Sequence, residues 1–288
     1  MGKEPVFRKI IDAEETKKIL HLLRRDRGYP SGYKELDKMA GGLVRDGVTL
    51  IAGRPGMGKT SLALNMIHRL SMQQEGTVLI FTPDVLPGTM TIRLLSIGLQ
   101  VMPEKILNNS LPPAQIARKC NDFLLNKKSA IEFIPNSYPT LGCIERFCKY
   151  VPDLRMVLIT PANAICKPID YATRADKAPE KEDFGVVFPQ LQKLAKRLGV
   201  PVLCTANLHR SLENRKDKRP KLTDLKKVGI PQDAVDEIIF LHRDRYYDYM
   251  GEEGAEWIVA KAPNEATGTI YMDWMWETGC FLEKDRDT

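Results

Sequence analysis

The stretch "VTLIAGRPGMGKTS", residues 48–61, decides the fold of this chain. Residues 48–52 are mostly apolar and β-branched, which predicts a strand. Residues 53–60 then match the pattern G-x-x-x-x-G-K-[ST], whose glycines let backbone N–H groups curl around phosphate oxygens. Residues 60–72 carry apolar side chains at helical spacing, so the loop opens a helix whose N-terminus favours an anion. The stretch therefore predicts a nucleotide-binding loop between a strand and a helix.

Two side chains of this phosphate loop (residues 53–60) carry specific chemistry. Lys59 would reach the β- and γ-phosphates, and the Thr60 hydroxyl would ligate the magnesium ion that accompanies ATP. We therefore predict ATP and Mg²⁺ as cofactors. The predicted cofactor-binding residues are Gly53, Pro55, Gly56, Gly58, Lys59, Thr60 and Ser61.

Strands and helices alternate along the rest of the chain. Strands are predicted at residues 48–52, 78–82, 131–134, 156–159, 202–205, 236–242, 255–261 and 268–275. Helices are predicted at 60–72, 88–101, 112–126, 139–150 and 184–198, and a long loop at 165–182. Repeated alternation of this kind predicts an α/β fold in which a mostly parallel sheet is flanked by helices on both faces.

Length and composition are those of one large domain with an extension. The chain has 288 residues and a formal net charge of +6, a mild basic excess that permits nucleic-acid binding without requiring it. Its six cysteines show neither CxxC nor zinc-ligand spacing, which favours reduced thiols in the core. Because no signal pattern or long apolar run is present, we expect a cytoplasmic protein that does not enter a membrane. Residues 1–27 predict an amphipathic helix, which packs on its own domain or on a neighbouring subunit.

Several segments together resemble one family. "GYPSGYKELDKMAGGL" (28–43), leading into the phosphate loop, is similar to the entry of the ATPase domain of DnaB-type replicative helicases. "LQKLAKRLGVPVLCTANLHRSLENRKDKRPKLTDLKK" (191–227), "IIFLHRDRYY" (238–247) and "IVAKAPNEATGTIYMDW" (258–274) resemble its later core and final hairpin. The resemblance implies a RecA-like ATPase domain over 28–288, with 1–27 as the linker helix that docks on the next subunit. It also implies a hexameric ring with nucleotide between subunits, single-stranded DNA in the channel, and other replication proteins as partners.

Four positions depart from the family pattern. Asp84 stands where the family has the glutamate that activates water, and Thr160 where it has the aspartate that positions magnesium. Asn207 replaces a glutamine that senses the γ-phosphate, and Pro263 replaces an arginine finger, although Lys261 remains two residues earlier. An arginine finger contributes roughly 10³–10⁵ in rate. All four changes concern hydrolysis and none concerns phosphate binding, so we predict nucleotide binding with weak hydrolysis.

Two functions remain open on this basis. The first is a weak ATP-dependent DNA helicase, in which Asp84, Lys261 and Asn207 are the catalytic residues and Thr160 acts on magnesium through a water. Arg243 or Arg245 would then replace the missing finger. The second is a catalytically inactive, nucleotide-binding adaptor that associates with DNA or with a true helicase.

A basic segment, residues 210–227, carries eight basic side chains against three acidic ones, and hence +5 of the net charge. Part of it matches the channel loop of the family, which touches the DNA backbone. The predicted DNA-binding residues are Arg210, Arg215, Lys226, Lys227 and Gly229. A solvated charged loop is the alternative. No aromatic residues interleave with these cations, so phosphate contacts are expected rather than base stacking. The three tryptophans, Trp257, Trp274 and Trp276, are interpreted as packing residues.

Overall fold

The structure, a computed structural model, describes residues 28–83, 85–108, 118, 128–134, 139–168 and 180–284. The predicted N-terminal helix at 1–27 and the predicted catalytic residue Asp84 lie outside these residues. Most of the predicted helix at 112–126 and most of the predicted loop at 165–182 also lie outside them.

The described residues form a nine-stranded sheet. Its strands are β1 (Val48–Gly53), β2 (Gly76–Phe81), β3 (Ser129–Ile134), β4 (Leu154–Ile159), β5 (Val202–Asn207), β6 (Glu237–His242), β7 (Ala255–Lys261), β8 (Gly268–Met275) and β9 (Cys280–Glu283). The spatial order is β3-β2-β4-β5-β1-β6-β7-β8-β9. The first six in this order run parallel, and β7, β8 and β9 add an antiparallel edge. The prediction of a mostly parallel sheet is confirmed, while β9 is a strand that the sequence pattern did not indicate.

Seven α-helices are described around this sheet. They are α1 (Lys34–Ala40), α2 (Lys59–Gln73), α3 (Pro87–Leu99), α4 (Pro103–Leu107), α5 (Leu141–Tyr150), α6 (Phe184–Leu198) and α7 (Leu222–Lys226). Because strand residues alternate between faces, Ile51 of β1 packs in one core with Leu62 and Met66 of α2. The preceding residue, Leu50, packs in a second core with Leu191 of α6. The prediction of helices on both faces is confirmed.

The ends of two helices follow from local sequence. At the start of α6, the Asp183 side chain accepts a hydrogen bond from the Gly185 N–H at 2.6 Å, and the helix ends at Gly199 with φ of 66°. Such caps satisfy backbone groups that a helix leaves unpaired at its termini. The start of α2 is different, because Gly58 at φ of 100° makes no side-chain cap and no acidic residue lies in the first turn. Its N–H groups are therefore left for an external anion.

The strand order places several carboxyl ends at one edge of the sheet. β1 lies between β5 and β6, and Gly53 at the end of β1 is level with Asn207 at the end of β5. β4 is next to β5 and ends at Ile159, one residue before Thr160. In open parallel sheets, ligands bind outside the carboxyl ends of the strands. This edge is therefore where a binding site is expected.

Candidate nucleotide-binding site

A cleft of about 500 Å³ opens at this edge of the sheet. Its lining residues are Pro55, Gly56, Gly58, Lys59, Thr60, Ser61, Arg93, Ile97, Pro103, Pro161, Thr205, Asn207, Trp274, Trp276, Glu277, Thr278 and Gly279. Six of the seven predicted cofactor-binding residues are among them. The seventh, Gly53, has another role, because a Cβ there would lie 2.7 Å from the Leu241 carbonyl oxygen. Gly53 thus lets β1 and β6 approach each other beneath the cleft.

Lys59 is held at the floor of the cleft. Its side chain donates from Nζ to the carbonyl oxygen of Arg54 at 2.8 Å, and the residue is only 7% exposed. Burial, with a smaller contribution from the nearby Arg54 charge, lowers the pKa of Lys59 to about 8. A phosphate group at the loop would supply the opposite charge that this buried ammonium lacks, and would favour its protonated form.

Three threonine hydroxyls form a row beside Lys59. The Oγ1 atoms of Thr60 and Thr160 are 3.0 Å apart, and those of Thr160 and Thr205 are 2.9 Å apart. Thr160 is 2% exposed, so its hydroxyl has exchanged water for these two partners. The family pattern has a magnesium-positioning aspartate at position 160. In this chain a neutral hydroxyl stands there and is part of a hydrogen-bonded chain of threonines.

This donor set fits magnesium in a limited way. Mg²⁺ keeps several waters and is usually held by one or two carboxylates together with substrate phosphates. Among the described lining residues Glu277 is the single carboxylate, while Thr60 and Thr160 offer hydroxyl oxygens only. The site thus fits an ion that nucleotide phosphates bring with them, and not one that protein ligands alone would hold.

Asn207, a predicted catalytic residue, is the last residue of β5 and lines the cleft. Its backbone N–H donates to the Asn163 side-chain oxygen at 3.0 Å. Asn163 lies in the short 3₁₀ helix Ala162–Ala164 that follows Thr160. Sequence reasoning missed Asn163, because a lone asparagine after a strand carries no recognisable pattern.

The predicted replacements for the arginine finger are dispersed. Lys261 does not line the cleft, and its Nζ donates to the carbonyl oxygens of Gln232 at 2.8 Å and Val235 at 2.6 Å. Pro263 is exposed after β7. Arg245 pairs with Glu253, whereas the Arg243 guanidinium lies 5.2 Å from the ring centroid of the cleft-lining Trp274. Of the two arginines, Arg243 is therefore the one near the nucleotide site.

The tryptophans divide into two groups. Trp257 is fully buried in the core, which confirms its interpretation as a packing residue. Trp274 is half-buried, packs against Phe281 with ring centroids 4.4 Å apart, and also lines the cleft. For Trp276 the packing interpretation is wrong, because this residue lines the cleft and is 73% exposed. A flat aromatic face is thus presented at the cleft.

Ion pairs hold the basic segment against the domain. Arg215 pairs with Asp224 at 3.0 Å and donates to the Arg219 carbonyl oxygen at 2.7 Å. Arg219 in turn donates from Nε to Glu256 at 2.7 Å. This hydrogen bond, together with the charges of Glu256 and Asp244, raises the pKa of the Arg219 guanidinium above its usual value. Arg219 therefore ties the segment to the rest of the domain, whereas Arg215, a predicted DNA contact, bonds within the segment itself.

Three of the predicted DNA-binding side chains, Arg210, Lys226 and Lys227, are exposed. Lys227 also donates to the Ser211 hydroxyl at 3.2 Å, so α7 and the 3₁₀ helix Arg210–Asn214 present their cations side by side. Gly229, the third residue after α7, adopts φ of 77°, a conformation that favours glycine. Its role is thus to turn the chain where the exposed lysines end.

A group of metal-ligating side chains lies apart from the cleft. Atoms of His242, Asp244 and Glu256 lie within 4.8 Å of one another. Arg219 reaches both carboxylates, with Nη2 3.3 Å from Asp244. Since the guanidinium already supplies the positive charge, this cluster anchors the basic segment and does not call for a metal ion.

Known proteins share this architecture and sequence. The family model for the DnaB-like helicase C terminal domain matches residues 28–283. The replicative DNA helicase DnaB of Geobacillus stearothermophilus is 25% identical over 90% of this chain and 57% of its own length. DnaB of Buchnera aphidicola subsp. Baizongia pistaciae is 30% identical over 85% of this chain and 53% of its own length.

Solved structures agree with these sequence matches. One solved ATPase domain superposes with a TM-score of 0.79 at 26% identity, covering 97% of this chain and 100% of that domain. A DnaB-like replicative helicase, solved to show its interactions with primase, superposes with a TM-score of 0.78 at 25% identity. That match covers 96% of this chain and 69% of the helicase. The chain therefore spans little more than half the length of the two replicative helicases and the whole of one ATPase domain.

Proposed function

The chain belongs to the DnaB-like helicase C-terminal domain family, and from this premise we propose that it binds ATP with magnesium, binds single-stranded DNA as a hexameric ring, and hydrolyses ATP weakly. One observation carries the proposal. The cleft keeps Lys59 and Thr60 at the phosphate loop while a neutral hydroxyl, Thr160, stands beside them at 3.0 Å from the Thr60 oxygen. Phosphate binding and hydrolysis thus depend on different residues here, and only the second set is altered.

Assembly and partners follow from the same family. We propose residues 1–27 as the linker helix of a ring, and residues 28–288 as its ATPase domain. In a ring, the exposed Pro263, with Lys261 two residues before it, would face the nucleotide of a neighbouring subunit. Because one related helicase is described with primase, other replication proteins are proposed as partners of this chain. Within the described residues, none of the helices is both long and apolar enough to cross a membrane.

A second function, the adaptor that binds nucleotide without turnover, is favoured by one feature of the site. Thr160 is buried and its hydroxyl already bonds Thr60 and Thr205. The Thr160 hydroxyl thus has its hydrogen-bond partners among protein side chains and needs neither a magnesium ion nor a carboxylate, as expected of a site that binds nucleotide without hydrolysing it. Asn207 and the nearby Arg243 favour the enzyme.

A single-turnover ATPase assay, run with and without single-stranded DNA, tests the proposed function. We expect bound ATP to be cleaved slowly, and faster when DNA is present. Intact ATP binding without any cleavage would establish the adaptor instead. Failure to bind ATP at all would overturn both functions.

Trp276 gives a prediction about the nucleobase. Stacking of a base on an aromatic ring contributes about 1–3 kcal/mol, and Trp276 exposes its ring to the cleft. We expect Trp276→Ala to weaken ADP binding by roughly 5- to 150-fold in a calorimetric titration, and Trp276→Phe to weaken it much less. Pyrophosphate carries no base, so its affinity should be the same in all three proteins. Equal losses for ADP and pyrophosphate would show that the alanine variant disturbs the phosphate loop.

The exposed Lys226, at the end of α7, and Lys227, which follows it, give a prediction about DNA. Each phosphate contact releases counterions, so log K falls with log[salt] by about 0.7 per contact for single strands. Replacing Lys226 and Lys227 by alanine should make the slope of log K against log[salt] for oligonucleotide binding shallower. The slope should change by about 0.7 for each phosphate contact that the substitutions remove. Lys193 and Lys196 of α6 are also exposed, and their double alanine variant is the matched control. Equal slopes in the two variants would place the DNA elsewhere on the protein.

A further inference from the structure

Arg54 ties the phosphate loop to the chain that follows β5. Its Nε donates to Glu213 at 2.7 Å, and its Nη1 donates to the Leu208 carbonyl oxygen at 2.8 Å. The Leu208 N–H in turn donates to the Gly53 carbonyl oxygen at 3.1 Å. The Arg54 side chain is only 17% exposed, so this pair is screened less than an ion pair on an open surface.

The backbone of the same residue holds Lys59. The Arg54 carbonyl oxygen accepts the hydrogen bond from the Lys59 ammonium at 2.8 Å. A nucleotide phosphate at the loop would compete with this carbonyl for the ammonium, because an anion is the stronger acceptor. Lys59 thus has two alternative partners, and phosphate binding would remove its bond to the Arg54 carbonyl oxygen, which also accepts from the Met57 N–H at 3.3 Å.

Glu213, at the other end of the ion pair, lies in the basic segment. It belongs to the 3₁₀ helix Arg210–Asn214, which carries the exposed Arg210 and is fixed to the core by the fully buried Leu212. The neighbouring Ser211 accepts from Lys227, which directly follows α7. A shift of this short helix would therefore move Arg210 and alter the contact that the Lys227 ammonium makes with Ser211 while its contact with Asp224 at 3.6 Å remains.

We propose that the Arg54–Glu213 ion pair couples the two sites, so that nucleotide at the phosphate loop and single-stranded DNA at the basic segment change each other's affinity through it. The proposal rests on the proposed function, since it needs both ligands to bind. The two partners of Lys59 supply the two states that each ligand biases. Thermodynamic linkage then requires the effect to be equal in both directions.

The experiment measures this coupling in the whole chain. The affinity for a fluorescein-labelled oligo-dT is determined with and without saturating ADP, and the affinity for ADP with and without oligo-dT. We expect the wild-type protein to show one coupling factor in both measurements, in the range of about 5 to 150 that is typical of coupled sites. In Glu213→Gln, which removes the charge, that factor should fall at least about fivefold, while each ligand alone binds within about threefold of wild type.

Two further variants separate coupling from general damage. Glu145→Gln breaks a comparable ion pair, because Glu145 contacts Arg197 at 2.9 Å and its side chain is 34% exposed against 35% for Glu213. Glu145 also pairs with Lys149 at 2.8 Å, so this variant removes at least as many ion pairs as Glu213→Gln and should still keep the full coupling factor. Glu213→Asp keeps the charge but withdraws it by one methylene, and its coupling factor should lie between those of the wild-type protein and Glu213→Gln. If Glu213→Gln does not fold, Glu213→Asp still allows the coupling to be measured.

The outcomes distinguish this proposal from the proposed function. An unchanged coupling factor in Glu213→Gln, or in Glu213→Asp if only that variant folds, overturns the role of the ion pair. So does a wild-type protein that binds both ligands independently. Loss of ADP or oligo-dT binding by the wild-type protein would overturn the proposed function itself.

Discussion

Replacing Lys59 by alanine is expected to abolish ATP and ADP binding, with affinity reduced by at least about 100-fold in a calorimetric titration. The ammonium is the one cation among the described lining residues that lies in the phosphate loop, and its Nζ is already directed at that loop by the Arg54 carbonyl. Because Lys59 is buried, loss of its charge-assisted interaction with phosphate costs more than loss of such an interaction at the surface.

The pH dependence of nucleotide binding provides a second check on Lys59. Because its pKa is lowered to about 8, the unliganded residue is charged below that pH and neutral above it. A phosphate prefers the charged form, so wild-type affinity should fall as the pH rises through 8. Lys193→Ala on the exposed face of α6 is the control and should show wild-type behaviour. Unchanged nucleotide affinity in Lys59→Ala would refute the assignment of the site.

The features that could be predicted from the sequence are local ones. The phosphate loop is identifiable because its glycines, Lys59 and Thr60 lie within eight consecutive residues. The parallel strands are identifiable because apolar runs such as 156–159 recur between helical patterns. In both cases the determining residues are neighbours in the chain, so short-range pattern is sufficient.

The features that sequence reasoning missed depend on contacts between distant residues. Thr205 completes the hydroxyl row from a position 45 residues after Thr160, and Glu213 meets Arg54 across 159 residues. Neither contact leaves a periodic signal. The interpretation of Trp276 is wrong for another reason, because this residue follows the last residue of β8 in a turn. A turn releases a side chain from the alternation of the strand, so the pattern that assigns Trp257 correctly does not apply to Trp276.

The basic segment shows how charge alone misleads about function. From the sequence alone, the whole net charge of +5 in residues 210–227 is expected on one solvated or DNA-binding surface. In the structure Arg215 bonds within the segment and Arg219 ties it to Glu256, while Arg210, Lys226 and Lys227 are exposed. Cations that already bond within the protein are less free to contact a phosphate backbone, so the net charge of the segment overstates the number of its available phosphate contacts.

Restoring the family residues at three positions should increase ATP turnover. We expect the combined change Asp84→Glu, Thr160→Asp and Pro263→Arg to raise single-turnover hydrolysis by at least about 100-fold over the wild-type protein. A glutamate at 84 extends the base by one methylene, and misplacement by about 1 Å can cost on the order of 100-fold. An arginine at the exposed position 263 would supply a fork of donors to the nucleotide of the neighbouring subunit.

The hydroxyl row indicates that an aspartate at 160 can be accommodated. The Thr60 and Thr205 hydroxyls both lie within hydrogen-bond distance of the Thr160 side chain, and each can donate to a carboxylate. The matched control is Thr160→Asn in the same background, which has a similar shape but lacks the charge and should forfeit most of the gain. Lys59→Ala added to the triple variant should return turnover to background.

The rate of the wild-type protein decides what the gain means. Each alteration acts on the transition state more than on ground-state binding, so affinity should survive while turnover falls. Wild-type turnover near roughly 10 per second, the typical enzyme median, would contradict weak hydrolysis. It would show that a cation of this chain already replaces the finger, and Arg243, which lies against the cleft-lining Trp274, would be the first residue to test. Slow wild-type turnover with a large gain in the triple variant would instead show that the cleft can support hydrolysis once the base reach at 84 and the charges at 160 and 263 are restored.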